Sequence, residues 1–238
     1  MQGDHRLRAL ALWATLARIA IGVFGFVVVV LIVGNALLLV AELSGGGGGV
    51  LTIWDPDTGV RQVSAYGRLF AVLLGASDVL LAVFFVLAAV PIAVWIYRAH
   101  ANLHRAGVSE LAYSPAWSVG SFLVPVVNFV VPLRAMRELH NRSHGEGPWQ
   151  ARSPVGDVSS WWSCHIAAGV VLAAATFVAM LATIPNLYVV QPPGVNTGLF
   201  LFALILLGGS AGFLFRTIGA VTRAQQQMLY LNAAEVFA

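Results

Sequence analysis

Residues Leu111 to Leu133 read LAYSPAWSVGSFLVPVVNFVVPL, and this stretch constrains the chain more than any other. It is apolar enough for a bilayer, yet Pro115, Pro125 and Pro132 interrupt it. An interior proline lacks a backbone N–H and its ring clashes with the preceding turn, so one straight spanning helix is not expected here. Irregular backbone at membrane depth survives only when it is buried in protein or lines a wet cavity. Arginine-bearing segments flank the stretch on both sides, so the topology of the chain depends on whether it crosses.

The membrane context follows from composition. Of 238 residues, 59% are hydrophobic and 10% are charged, where a soluble domain carries about 25% charged residues. No segment outside the apolar runs is long enough for an independent domain of roughly 50 residues. All 13 basic residues are arginine, which with the abundant Ala, Gly, Val and Leu fits a GC-rich bacterial source. The net charge of +3 reads as orientation charge rather than a nucleic-acid footprint, because the arginines flank apolar runs and form no single patch. Cys164 is the one cysteine, so neither an intrachain disulfide nor a cysteine metal cluster can form. The first apolar run is too long for a signal-peptide core and lacks a clear cleavage site, so it reads as a retained helix.

A spanning helix needs about 20 apolar residues. Four runs meet this, near 15–43, 67–97, 163–188 and 197–221. Cytoplasmic loops carry excess arginine, and arginine placement chooses between topologies. If 111–133 does not cross, 11 arginines share one side and only Arg61 and Arg68 lie outside. If it crosses, the split becomes 5 against 8. The first arrangement is far more polarised. The expected fold is therefore an all-α integral membrane protein with four transmembrane helices and both termini cytoplasmic. Its proline-broken segment is re-entrant or interfacial.

The expected organisation is a cytoplasmic tail over 1–14, a membrane domain over 15–225 and a second cytoplasmic tail over 226–238. An outer loop spans 44–66 and a cytoplasmic loop spans 134–160. Gly45 to Gly49 read as a flexible hinge. The following DPDTG run reads as the turn of a small hairpin. Asp55 and Asp57 resemble the start of a calcium loop, but the other ligand positions are missing. Trp161 and Trp162 suit an interfacial aromatic belt before the third span.

The middle of the chain also carries a pattern. It consists of Trp95, Tyr97, Arg98 and Asn102, then Tyr113, Ser114, Pro115, Trp117, Val119 and Gly120. Phe122, Pro125, Asn128 and Pro132 follow, and then Met136, Arg137, Glu138 and Leu139, with Ser143 and the Trp161–Trp162 pair beyond. This pattern resembles the DUF4328 family of bacterial membrane proteins over roughly 66–225. The resemblance implies a membrane location and brings no established activity, cofactor or catalytic residue.

Several residues stand out as site candidates. Asp78 is an acid inside an apolar span, which is costly and often functional. Asn35 lies at similar depth, and Asn35 or Ser77 can hydrogen-bond Asp78. The functional reading is a proton or cation relay, and the alternative is polar glue between helices. Asn128, Asn102 and Arg98 form a second constellation; Asn128 sits where prolines free backbone carbonyls, and structural repair of the break is the favoured reading. Trp117 and Trp95 are expected to pack or to anchor at the interface. His100 with His104 and His140 with His144 have the i, i+4 spacing of one helical face. Four such rings can hold zinc, although the motif does not demand histidine there. Arg134, Arg137 and Arg142 lie beside the membrane and can meet anionic lipid head groups.

No nucleophile–base pair, Walker loop or dinucleotide fingerprint is present. No cofactor is expected. The leading expectation is a non-enzymatic structural or scaffolding protein of a bacterial plasma membrane, with the lipid bilayer as its partner. The alternative is a small transporter or channel subunit built on the broken segment and Asp78. That role would need a homo-oligomer, since four spans are few for a monomeric transporter.

Overall fold

The computed structural model describes residues 2–43, 52–57, 59–63, 65–147, 155–181, 184 and 192–236. Four long helices dominate: α1 (Gln2–Leu43), α2 (Ala65–Arg105), α5 (Gly156–Leu181) and α6 (Val195–Val236). Each contains a stretch long and apolar enough to cross a membrane, at Leu10–Leu43, Val79–Arg105, Gly156–Val178 and Val195–Gln227. Phe26, Leu37, Val86, Leu87 and Phe177 point their apolar side chains outward, as a lipid solvent requires and water does not. The chain is thus a membrane-embedded helical protein.

The four helices match the four apolar runs, but their ends differ from the sequence reading. α1 begins at Gln2, so the polar N-terminal stretch is helical and continuous with the first span. α5 begins at Gly156, before its expected start near 163. Residues 182, 183 and 185–188 of that expected span lie outside the described residues, as does the Gly45–Gly49 hinge. The expected hairpin is present as β1 (Thr52–Asp55) paired antiparallel with β2 (Val60–Val63). Gly59 in its turn has φ +67°, a conformation that favours glycine.

Between α2 and α5 the backbone is broken as the prolines require. Pro115 opens the short α3 (Pro115–Gly120) and Pro132 lies in the first turn of α4 (Val131–Ser143). Both are positions where no intrahelical N–H is lost. Two single 3-10 turns, Ser121–Leu123 and Val127–Phe129, flank Pro125. α2 and α4 end alike. Gly107 (φ +71°) and Gly145 (φ +71°) adopt the left-handed conformation. The next residues close each helix: Val108 N–H bonds the Leu103 carbonyl at 3.2 Å and Glu146 N–H bonds the Asn141 carbonyl at 2.9 Å. These are glycine-terminated Schellman ends.

Packing divides the chain into two compact units, with boundaries after Phe24, Phe84, Ile166 and Gly208. The first unit holds the early part of α1, the later part of α2, all of α3 and α4, the start of α5 and the later part of α6. Its core joins Leu10, Ala14, Ala17 and Ile21 of α1 to Trp95, Ile96, Ala99 and Leu103 of α2. Met136 and Leu139 of α4, Val158, Trp161 and Trp162 of α5, and Leu214, Ile218 and Val221 of α6 complete it. Trp161 and Trp162 are therefore buried in this core rather than standing in an exposed aromatic belt. The second unit holds the hairpin and the remaining parts of the long helices. Within it Thr197 Oγ1 donates to Glu42 Oε1 at 3.1 Å. Gly194 (φ +80°) approaches α1 so closely that an added Cβ would meet Leu39 Cδ1 at 2.7 Å.

Candidate functional site

The motif residues assemble around the broken segment of the first unit. The linker between α2 and α3 is gripped by α4. Glu138 is buried, and its carboxylate accepts from Ala112 N–H at 2.8 Å and Tyr113 N–H at 3.2 Å. One turn later, Arg142 Nη2 donates to the Ser109 and Glu110 carbonyls at 3.1 and 3.4 Å. The same guanidinium lies 3.8 Å from the Glu110 carboxylate. Glu110 has φ +59°, the only left-handed non-glycine among the described residues. The two charged side chains on one face of α4 hold the linker in this costly conformation. Ser114 then caps α3 by accepting from Trp117 N–H at 3.2 Å.

Beyond α3 the backbone turns over at an apolar tip. Leu123 and Val126 are 85% and 83% exposed, with Val124 and Pro125 exposed between them. The chain returns where Trp162 Nε1 donates to the Phe129 carbonyl at 3.1 Å. Phe122 meets the Trp162 ring edge-on, with centroids 6.0 Å apart. Asn128 N–H closes a turn on the Val124 carbonyl at 2.8 Å, while Asn128 Oδ1 is buried without a hydrogen-bond partner. Trp117 is exposed beside the tip.

A polar hub ties α2, α4 and α6 together. Gln225 Nε2 donates to the Ala99 carbonyl at 3.1 Å and to Ser143 Oγ at 2.9 Å. Its Oε1 accepts from Asn102 Nδ2 at 3.4 Å. One turn away, Trp95 Nε1 donates to Thr222 Oγ1 at 3.1 Å. Trp95 is fully buried and so is a packing residue. Arg98 lies over the Trp13 ring at 5.6 Å. No hydrogen bond among the described residues joins Asn128, Asn102 and Arg98 to one another. Gln225 and Thr222 escape the sequence reading: a glutamine in the run AQQQ reads as an exposed helix surface, and nothing local reveals that it turns inward.

The four histidines do not converge. His104 Nε2 donates to the Tyr113 carbonyl at 3.1 Å, and His144 Nδ1 donates to the His140 carbonyl at 2.7 Å. The His140 and His144 rings lie 4.4 Å apart. His100 is buried with both ring nitrogens unpartnered. Among the described residues, no group of three His, Cys, Asp or Glu side chains is placed to hold a metal ion. Burial lowers the His140 pKa below 6.5 and His144 lowers it further, opposed by Asn141, Glu146 and Asp157. His140 is therefore neutral near pH 7.

The remaining candidates separate. Asn35 is buried, and its Nδ2 donates to the Leu31 carbonyl of its own helix at 2.8 Å. Asp78 belongs to α2, but its side chain and that of Ser77 lie outside the described ones. Of the three arginines expected near lipid, Arg134 is exposed. Arg137 is exposed and donates to Ser159 Oγ at 2.7 Å. Arg142 is only 13% exposed and faces the linker.

Residues 62–207 match the family described as Domain of unknown function (DUF4328). The chain belongs to this family. The match starts near the expected position and ends at residue 207, so Thr222 and Gln225, which bond Trp95 and Asn102, lie beyond it. Neither a curated protein nor a solved structure matches the chain.

Proposed function

We propose that this DUF4328 protein is a non-enzymatic scaffolding protein of a bacterial plasma membrane. It would have four spans, both chain ends cytoplasmic, and residues 111–133 as a re-entrant or interfacial segment on that side. The supporting observation is the use made of the motif's polar side chains. Trp95, Asn102, Glu138 and Trp162 each bond another segment of the same unit, so the motif builds structure.

The topology is supported by the make-up of the first unit. The end of α2, the start of α5, the early part of α1 and the later part of α6 belong to one compact body. That is expected if the segment after α2 returns to the leaflet it left. The exposed Leu123–Val126 tip suits the acyl boundary of that leaflet, with Arg134 and Arg137 near head groups.

A second reading, a small transporter or channel subunit, is favoured by the buried, unpartnered Asn128 Oδ1 in the broken segment. Reconstitution into proteoliposomes separates the two. The scaffold reading expects proton and cation fluxes equal to those of empty vesicles. A flux above that level, lost in Asp78→Asn or Asn128→Ala, would establish the transport reading instead.

A further inference from the structure

Arg18 of α1 and Arg223 of α6 both approach Gly219. Phe215, Gly219 and Arg223 follow at four-residue spacing along one face of α6. All four residues belong to the first unit. The Arg18 guanidinium lies over the Phe215 ring, 4.1 Å from its centroid. An added Cβ on Gly219 would stand 3.8 Å from Arg223 Nη1 and 3.9 Å from Arg18 Cζ. Both guanidinium groups thus border the same buried glycine.

Nothing among the described residues neutralises this pair. Arg18 Nε is buried and has no hydrogen-bond partner. Arg142 pairs with Glu110 and Arg216 pairs with Asp157, while neither Arg18 nor Arg223 takes part in an ion pair there. Two cations brought together repel, and an aromatic face offers Arg18 no acceptor in the plane of its N–H groups. An oxyanion with several acceptor oxygens meets both needs, because guanidinium forks match phosphate geometry.

We propose that Arg18 and Arg223, brought together beside Gly219, form a binding site for a phosphate-bearing anion. Arg18 lies near the start of the apolar stretch Leu10–Leu43. Basic pockets between helices at such a depth take lipid head groups, and free phosphate presents the same chemistry.

The test uses the purified full chain in an uncharged detergent. Its thermal midpoint is followed on titration with short-chain phosphatidylglycerol, with phosphatidylcholine of equal chain length, and with inorganic phosphate against chloride of equal ionic strength. A ligand that binds the folded state raises the midpoint saturably. A rise with phosphatidylglycerol alone assigns the site to a lipid head group, and a rise with inorganic phosphate assigns it to a free anion. In either case Arg223→Gln, at an exposed position, weakens the apparent affinity about tenfold or more. Gly219→Leu, which keeps both charges but drives a bulky side chain against both guanidinium groups, abolishes the rise. Arg105→Gln, at an exposed position at the end of α2, leaves it intact. The proposal is overturned if neither anion raises the midpoint, if phosphatidylcholine matches phosphatidylglycerol, or if the rise persists in Arg223→Gln and Gly219→Leu.

Discussion

Glu138 holds two backbone N–H groups of the linker with one carboxylate. Glu138→Ala removes the acceptor of two part-buried bonds, where a fully buried orphan costs about 1–3 kcal/mol. The expected result is a clear fall in the thermal midpoint of the purified protein; an unchanged midpoint would remove Glu138 from this role. Gly107 tests the backbone instead of a side chain. Gly107→Ala forces an L-residue to φ +71° and costs roughly 1–2 kcal/mol, whereas Gly147→Ala, with open space around it, leaves the midpoint in place.

His140 gives the same unit a pH dependence. Its folded pKa is lowered, chiefly by burial and next by His144, so the unfolded chain binds the proton more tightly. Its contribution to stability is complete above the unfolded value near 6.5 and is lost as pH falls below it toward the folded value. The midpoint of the wild type should fall between pH 7.5 and pH 5, and His140→Gln should flatten part of that slope. Parallel slopes for the two proteins would exclude His140 as the cause.

At the scale of elements, α4 is fixed by polar contacts along its later half, from Arg137 to Ser143. Gln225→Ala removes the donors to Ala99 and Ser143 and the acceptor for Asn102. It should destabilise the protein by about 2 kcal/mol or more, and Ser143→Ala should cost less. The broken segment has its own prediction. In a Cys164→Ser background, Val126→Cys carrying an environment-sensitive fluorophore should be quenched by brominated lipid. The same probe at residue 147 should not be quenched. Equal quenching at the two positions would contradict an interfacial tip.

The elements were legible in the sequence to different degrees, and the reasons are physical. Twenty apolar residues can satisfy a bilayer in one way, so the four long helices follow directly from composition. Their ends do not, because Gln2–Leu10 and Gly156–Ser163 carry polar residues that a helix tolerates outside lipid. The prolines announced the break, and they fall at helix starts or between turns. Glu138 and Arg142 are spaced as an ordinary intrahelical pair, and only the fold turns both onto the linker. The inward aim of Gln225, the burial of Trp161 and Trp162 and the meeting of Arg18 with Arg223 all depend on contacts between distant segments, which no local pattern encodes.

For the whole molecule, one claim governs the rest: the segment between α2 and α5 begins and ends on the same face of the membrane as both chain ends. The arginine partition and the composition of the first unit both favour it. The direct test is cysteine accessibility in intact cells, in a Cys164→Ser background, with a membrane-impermeant maleimide. Pro56→Cys in the hairpin turn should label at once, while Gly147→Cys should label only after the membrane is permeabilised. Labelling of Gly147→Cys from outside, at the rate of Pro56→Cys, would place the far end of the broken segment on the opposite face and contradict the account.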